Sequence, residues 1–251
     1  MAKRTCVRMR EDAQVREALA LMAAGRSDSE VGHRTGVPRT TVRDWRAGKV
    51  PRRGQGSLEP VYAREIERSR SYIYLLGLYL GDGHISPGPR AERLRFTLDS
   101  SYPGIIDECL EALRVLVPGR KAWRGKRGSS ACVDVAMYYS RWSVLFPQHG
   151  PGRKHCRPIV LARWQEELLA RNHELFLRGL IHSDGCRTVA SDRGRRSVRY
   201  HFSNRSEDIK SLYCASLDAL GVRWTRPSDR DIAVYRQASV RYLDTFVGPK
   251  Y

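Results

Sequence analysis

The sequence is short of acidic residues and of long apolar runs. Its 251 residues contain 27 Asp and Glu against 45 Lys and Arg, a formal net charge of +18. This imbalance indicates a polyanionic partner, either nucleic acid or an acidic membrane surface. The longest apolar run, around residues 72–80, is about half of the ~20 residues that a membrane-spanning helix needs. We therefore expect no membrane association and a nucleic-acid partner.

Paired cysteines are lacking as well. The six cysteines are scattered singly, with no CxxC pair, so we expect free thiols in a reducing compartment. His182 and Cys186 are four residues apart and His155 precedes Cys156, but the paired short spacings of a structural zinc site are missing. No signal-peptide pattern is visible near the N-terminus. The expected location is the cytoplasm, in association with the nucleoid.

A nine-residue stretch occurs twice. LLGLYLGDG at residues 75–83 returns as LRGLIHSDG at residues 177–185, with five of nine positions identical. Each copy predicts an apolar helix with small residues four positions apart on one face. These residues are Gly77 and Gly81 in the first copy and Gly179 and Ser183 in the second. Such faces allow two helix backbones to approach closely, so we expect the two helices to pack against each other.

Each copy ends in Asp-Gly, at Asp82-Gly83 and Asp184-Gly185. We expect the two glycines to end the helices in the left-handed conformation. A single Asp-Gly after an apolar run is usually only a helix stop, but its repetition favours a paired site. Two carboxylates side by side at helix C-termini repel each other and the helix dipoles, so a hard divalent cation such as Mg²⁺ would stabilise them.

The repeated stretch resembles the motif of the LAGLIDADG homing endonucleases. The resemblance implies that the two helices form the interface between half-domains, and that Asp82 and Asp184 are catalytic residues that bind Mg²⁺ or Mn²⁺. The sixth motif position is less faithful, being Leu80 and His182 here. The family often has a basic residue near each scissile phosphate. Basic residues follow a Gly-Pro pair near the end of each half, and our candidates for this catalytic role are Lys154 and Lys250.

The order of predicted elements also repeats. Each half is predicted as helix, hairpin, helix, hairpin, helix, an α+β pattern with strands that alternate apolar and cationic residues. In the second half, residues 222–226 and 232–235 are the predicted last hairpin. The resemblance implies that the sheets form a DNA-binding saddle with αββαββα halves. The expected DNA-binding residues are Arg93, Arg95 and Thr97 in the first half, and Arg199 and His201 in the second.

The first 50 residues predict a separate all-α unit. Two helices, a glycine turn and a third helix with Val42 and Trp45 facing inward resemble the helix-turn-helix of resolvases and transposases. A three-helix bundle that docks on another protein is the alternative. The outward residues of the third helix favour DNA binding: Arg39, Thr40, Arg43 and Arg46.

The sequence thus predicts four segments. Residues 1–50 form the helix-turn-helix domain, 51–68 a flexible basic linker, 69–160 the first LAGLIDADG half and 161–251 the second. The expected function is sequence-specific, metal-dependent cleavage of double-stranded DNA by a monomer with pseudo-two-fold symmetry. The alternative is a DNA-binding transcriptional regulator on the same scaffold that no longer cuts. The additional helix-turn-helix domain favours the regulator, and the presence of both aspartates favours the enzyme.

Overall fold

The computed structural model describes residues 12–47, 70–126, 128, 130–192 and 194–251. The chain divides into two compact units, Met1–Glu59 and Pro60–Tyr251. The basic linker predicted at residues 51–68 lies outside the described residues. Within the described part, no helix is long and apolar enough to cross a membrane.

In the described part of the first unit, residues 12–47, there are three helices: α1 (Asp12–Ala23), α2 (Asp28–Thr35) and α3 (Arg39–Arg46). The Ser27 hydroxyl accepts a hydrogen bond from the backbone N–H of Glu30 (3.3 Å) and so caps α2. Gly36 ends α2 with φ 66°, a left-handed conformation that glycine adopts without strain. A small core of buried side chains joins the helices, consisting of Ala18, Val31, Val37, Val42 and Trp45.

The second unit is organised around two helices, α4 (Arg70–Asp82) and α8 (His173–Asp184). These are the two copies of the repeated stretch. They pack through their glycines: a Cβ added to Gly77 would lie 2.4 Å from the Phe176 carbonyl oxygen, and one added to Gly179 would lie 2.2 Å from the Tyr74 carbonyl oxygen. Because the contacts are reciprocal, each glycine admits the other helix's backbone.

The first half of this unit follows α4 in the predicted order. Its elements are β1 (Gly83–Ser86), β2 (Glu92–Asp99), α5 (Pro103–Leu116), β3 (Ala122–Lys126), β4 (Cys132–Tyr139) and the short α6 (Trp142–Leu145). The strands form one antiparallel sheet in the order β1-β2-β4-β3. Leu94, Phe96 and Leu98 point to the buried side of β2, because side chains alternate along a strand.

The second half differs from its prediction at one hairpin. Its elements are α7 (Arg163–Leu169), then α8, β5 (Gly185–Asp192), β6 (Arg195–Ser203), α9 (Glu207–Ala219), β7 (Asp231–Val234) and α10 (Gln237–Asp244). The sheet order is β5-β6-β7. The strand predicted at residues 222–226 is wrong, because only an isolated bridge joins Thr225 to Ala233. The α+β class itself is confirmed.

The predicted left-handed ends of the two motif helices are also wrong. Gly185 is extended, with φ −109° and ψ 170°, and Gly83 is absent from the glycines with positive φ. Both residues instead begin strands. They must be glycine because of crowding: an added Cβ would lie 2.6 Å from the Cα of Tyr79 at Gly83, and 2.8 Å from the Cα of Ile181 at Gly185.

Candidate active site and nucleic-acid interface

Two carboxylates meet where the packed helices end. Asp82 is the last residue of α4 and Asp184 the last of α8. A Cβ added to Gly81 would lie 3.0 Å from Asp184 Oδ2, so the Asp184 carboxylate lies against the other helix. Burial, and then the Asp184 charge, raise the pKa of Asp82 to about 6, and burial raises the pKa of Asp184. Close helix packing therefore brings together two acidic groups that resist ionisation.

A lysine lies at each of these helix ends. Lys154 Nζ donates to the carbonyls of Gly81 (2.9 Å) and Gly83 (2.7 Å) and lies 4.9 Å from the centre of the Tyr79 ring. Burial lowers the pKa of Lys154 to about 8, and the charges of both aspartates oppose that shift. A cation at the C-terminal carbonyls also complements the helix dipole.

Lys250 occupies the matching place at the end of α8. Its Nζ donates to the Ser183 carbonyl (3.3 Å) and lies 5.7 Å from the centre of the Tyr102 ring. Burial lowers the pKa of Lys250, and the nearby carboxylate of Asp82 counteracts the shift. Each lysine thus combines helix-end carbonyls, an aromatic ring and the same pair of acids.

A buried polar network fixes the segment that carries Lys154. The Gln165 side chain donates to the Tyr72 hydroxyl of α4 (2.5 Å), and Gln148 donates to Gln165 Oε1 (2.6 Å). The Arg157 guanidinium donates to the carbonyls of Gln148 (3.2 Å) and Gly152 (2.7 Å). These bonds hold the connection between the halves against the first motif helix, because a buried amide left unpaired costs about 1–3 kcal/mol.

The two sides of the acid pair are not alike. On one side, Asp184 Oδ2 accepts a hydrogen bond from the Asn204 amide (2.6 Å). On the other side, a cavity of about 280 Å³ is lined by Asp82, Asp99 and Lys250, among others. Asn204 and Asp99 stand in comparable turns: Asn204 accepts from the backbone N–H two residues on (2.7 Å), and Asp99 does the same (2.9 Å). One helix end therefore faces an amide and the other a second carboxylate.

A larger and more basic cavity lies beside Asp184 and Lys154. It has a volume of about 570 Å³. Its lining includes four arginines, Arg153, Arg157, Arg205 and Arg230, and three histidines, His84, His149 and His155. An anionic group would be attracted into this space, with its negative charge next to the lysine and close to one member of the acid pair.

The donor set fits a hard divalent cation in part. Carboxylate and backbone carbonyl oxygens are the ligands that Mg²⁺ prefers, and this ion usually keeps several waters and takes phosphate oxygens as further ligands. Within the described residues, no group of three or more His, Cys, Asp or Glu side chains is placed to hold a metal. A cation held by these two aspartates would need water or phosphate oxygens to complete its coordination.

The sixth motif position has a structural role in the second copy. His182 is buried, and its Nδ1 lies 3.1 Å from the Tyr74 hydroxyl. Burial, aided by the charges of Arg178 and Lys250, lowers the pKa of His182 to about 3. Arg178 itself is bound to both carboxylate oxygens of Glu108 (2.8 Å each). His182 is thus a neutral hydrogen-bonding residue of the helix interface.

The first sheet has a polar face opposite its core. Arg93, Arg95 and Thr97 alternate with the buried residues of β2, as the sequence predicts. An acid that sequence reasoning missed lies among them: Asp134 of β4 accepts from the Thr97 hydroxyl (2.8 Å) and lies 3.8 Å from an Arg95 nitrogen. Arg93 instead lies over the Trp123 ring, with its Cζ 5.3 Å from the ring centre.

The second sheet has a similar arrangement. Arg199 Cζ lies 5.0 Å from the centre of the Tyr235 ring, and Arg199 Nε donates to Ser197 Oγ (3.1 Å). His201 meets the same tyrosine edge-on, with ring centres 5.8 Å apart. Both predicted residues of β6 therefore gather around one aromatic side chain.

In the first unit, all four predicted DNA-binding residues are exposed, and one of them is paired with an acid. Arg39, Thr40 and Arg43 are exposed on α3. Arg46 donates to Asp28 Oδ1 (2.8 Å) and to the backbone carbonyl of Arg26 (2.7 Å). Arg46 is thus exposed on α3, as predicted, and its guanidinium also pairs with an acid at the start of α2.

Sequence reasoning missed four residues around these sites: Trp123, Asp134, Asn204 and Tyr235. Two of them left a signal in the sequence. Asp134 is a lone acid in an apolar strand, and Asn204 precedes a helix cap by two residues, a typical turn position. The partners of Trp123 and Tyr235 lie on other strands, so only the strand register reveals them.

Fold and site together define a duplicated α+β protein: two glycine-packed helices with paired terminal carboxylates, each followed by an antiparallel sheet. No family model matches the chain, and no curated protein matches it. The solved structures do contain similar folds. The homing endonuclease I-DmoI, in complex with DNA and Mn, has 15% sequence identity and a TM-score of 0.47, over 73% of this chain and 99% of that one.

Two further structures are similar. The N-terminal LAGLIDADG domain of WhiA has 16% identity and a TM-score of 0.45, over 72% of this chain and 83% of that one. The LAGLIDADG meganuclease I-AabMI, bound to uncleaved DNA, has 12% identity and a TM-score of 0.42, over 70% of this chain and 82% of that one. The chain is thus similar in structure to LAGLIDADG proteins, and the similarity concerns the fold alone.

Proposed function

We propose that this protein binds double-stranded DNA and cuts it with a divalent cation held between Asp82 and Asp184. The observation that carries the proposal is the pairing of two partly buried carboxylates at the ends of contacting helices, with a lysine at each end. Such an arrangement costs folding free energy, since burial and mutual repulsion disfavour the charged forms. Chemistry on an anionic substrate accounts for its presence.

The two aspartates and the two lysines would have different roles in cleavage. A divalent cation, when bound, supplies a Lewis acid for the phosphate oxygens. The two aspartates would hold it, together with water and phosphate. Lys154 and Lys250 would stabilise the negative charge that grows on the phosphate during cleavage. With a pKa of about 8, Lys154 still carries its charge at neutral pH, as this role requires.

The DNA would lie along the polar faces of the two sheets. A net charge of +18 favours binding to a polyanion, and arginine and histidine side chains alternate with core residues on β2 and β6. The reciprocal glycine contacts of α4 and α8 are what a pseudo-two-fold relation would produce. A monomer would then place one half on each side of its target.

The first unit would bind DNA as a second module. Its short α3 presents Arg39, Thr40 and Arg43 to solvent, while Val42 and Trp45 are buried in the core. Exposed cationic and hydroxyl groups on the last helix suit contacts to phosphates and base edges in the major groove.

A DNA-binding regulator that does not cut is the second candidate, and specific contacts favour it. Lys154 lies on helix-end carbonyls beside both aspartates, so an internal cation already balances part of their charge. The Asn204 amide also occupies one oxygen of Asp184. In this case the acid–lysine cluster would be a structural remnant, and the two DNA-binding surfaces would carry the function.

One experiment separates the candidates. Purified full-length protein is incubated with a plasmid library of its own genome, in Mg²⁺, in Mn²⁺ and in EDTA, and the DNA ends are sequenced. Ends at one site that depend on the metal would support the endonuclease. Tight, selective binding without cleavage in either metal would support the regulator, and an absence of DNA binding would contradict both.

A further inference from the structure

The polar faces of the two sheets each hold an arginine against an aromatic ring. Arg93 of β2 lies over Trp123 of the outer strand β3, and Arg199 of β6 lies over Tyr235, just after β7. In both sheets the arginine belongs to the strand that is hydrogen-bonded to the first strand of its half. An arginine over an aromatic ring thus occurs once in each half, although the aromatic residues differ.

Arg93 differs from three other partly buried arginines of this unit, each of which lies near an acid. Arg178 is bound to Glu108, Arg187 to Asp244, and Arg95 lies near Asp134. Within the described residues, no ion pair joins Arg93 to an acid, and its Nε is buried without a hydrogen-bond partner. Its side chain is therefore held by packing, while its terminal nitrogens remain available for a ligand.

Trp123 is built into this face. A Cβ added to Gly125 would lie 2.3 Å from Cζ3 of the indole, so the ring lies directly over the glycine, two residues along the same strand. The tryptophan is still 37% exposed. Leaving so large an apolar ring at the surface loses burial energy, and the loss is accounted for if the ring positions Arg93.

The chemistry of the arginine selects its ligand. A guanidinium stacked on an aromatic ring keeps a fixed plane, and its two terminal nitrogens can donate to two acceptors side by side. In the DNA major groove, guanine presents such a pair in its O6 and N7 atoms. A phosphate can also accept from both nitrogens, but a lysine binds a phosphate as a point charge, without a fixed plane.

We propose that Arg93 and Arg199 each read one guanine of the DNA target, with Trp123 and Tyr235 as positioning residues. The inference rests on the proposed DNA binding and holds for the endonuclease and the regulator alike. It predicts a target with one guanine position in each arm, each recognised by one sheet.

The test is selection of binding sites from a random double-stranded DNA library by the full-length protein and its variants. Arg93→Lys keeps the positive charge but loses the paired donors. We expect the guanine preference to fall about tenfold or more at one position of the selected motif, while the other positions and overall binding are kept. Arg199→Lys should do the same at one position of the other arm.

Three further variants test the positioning role. Gly125→Ala should displace the indole, and Trp123→Ala should remove it, so both should weaken the same guanine preference as Arg93→Lys. Trp123→Phe keeps an aromatic ring under the guanidinium and should largely retain the guanine preference. Arg114→Ala, which removes a charge from an exposed i,i+3 pair on α5, is the matched control and should leave the motif unchanged. Thermal melting verifies that each variant is folded.

The outcomes separate this inference from the proposed function. If the unaltered protein selects a motif and both lysine variants select it with the same guanines, the inference is overturned and DNA binding stands. If the unaltered protein selects no motif, sequence-specific DNA binding fails and the inference fails with it.

Discussion

The two candidate functions predict different roles for Asp82 and Asp184. If they hold a cation, then Asp82→Asn and Asp184→Asn should each abolish double-strand cleavage in Mg²⁺ while DNA binding is retained. A single variant nicks one strand if each acid serves one strand, whereas a shared cation stops both cuts. Supercoiled, nicked and linear plasmid forms are measured on a gel, and affinity by mobility shift.

Asp107→Asn is the control for this prediction. It removes an exposed carboxylate paired with Arg124, at 3.3 Å, on the outer surface, and should leave cleavage unchanged. Full cleavage by both variants of the acid pair would contradict a metal role for these residues.

The acid pair also predicts a pH dependence of stability in EDTA. The pKa of Asp82 rises to about 6 in the folded protein, above the ~3.9 of an unfolded Asp. Because the folded state then binds more protons, the contribution of Asp82 to stability falls as pH rises from about 4 to about 6. Asp82→Asn should thus stabilise the protein at neutral pH, by on the order of 1–3 kcal/mol, and have little effect near pH 4.

Urea unfolding midpoints of the unaltered protein and of Asp82→Asn measure this difference across the pH range. A variant that is less stable than the parent at pH 7 would show that the carboxylate caps its helix and is not crowded. Asp107→Asn again serves as the reference for the loss of one surface charge.

At the level of elements, the packed motif helices depend on the absence of side chains at Gly77 and Gly179. Alanine in place of glycine inside a helix normally stabilises by about 1 kcal/mol. At Gly179, however, the new Cβ would lie 2.2 Å from the Tyr74 carbonyl oxygen. We expect overpacking to prevail, so that Gly179→Ala lowers the free energy of unfolding by about 1–3 kcal/mol or more.

Gly150→Ala provides the comparison for this helix contact. An added Cβ there would lie 3.4 Å from the Arg157 side chain, an ordinary contact distance, so little change in stability is expected. Thermal unfolding of both variants is the measurement. Equal melting temperatures for Gly179→Ala and the unaltered protein would mean that the helices can separate at no cost.

For the whole molecule, two DNA-binding modules on one chain predict an affinity that exceeds that of either module. Deletion of residues 1–56 should weaken DNA binding by ~10²-fold or more, since the tethered module raises the effective concentration of the other. The salt dependence should also fall, because phosphate contacts and their released counterions are lost. Dissociation constants over a range of salt concentrations measure both effects.

The opposite result of the deletion would contradict DNA binding by the first unit. An unchanged dissociation constant and salt slope would show that the first unit binds something other than DNA, as the alternative of a protein-docking bundle holds. The double substitution Arg39→Ala and Arg43→Ala in the full-length chain provides a second test, since both side chains are exposed and the core of that unit is left intact.

The sequence alone determined the duplicated α+β plan. A nonapeptide that occurs twice, small residues at helical spacing and strands with period-two alternation are local signals, and each survives in the structure as an element. Asp82 and Asp184 could be named as a pair because both copies end in the same two residues. Periodicity reports the face on which a side chain lies, and close packing of glycines follows from it.

Only the tertiary structure decided which groups meet across elements. The binding of Arg46 to Asp28, of Arg95 to Asp134 and of Asn204 to Asp184 joins residues 18 or more positions apart, and no local pattern encodes such pairs. Gly83 and Gly185 show the same limit. Their sequence suits a left-handed helix end, but strand pairing draws both into extended backbone, and crowding by the preceding turn of the helix requires the glycine.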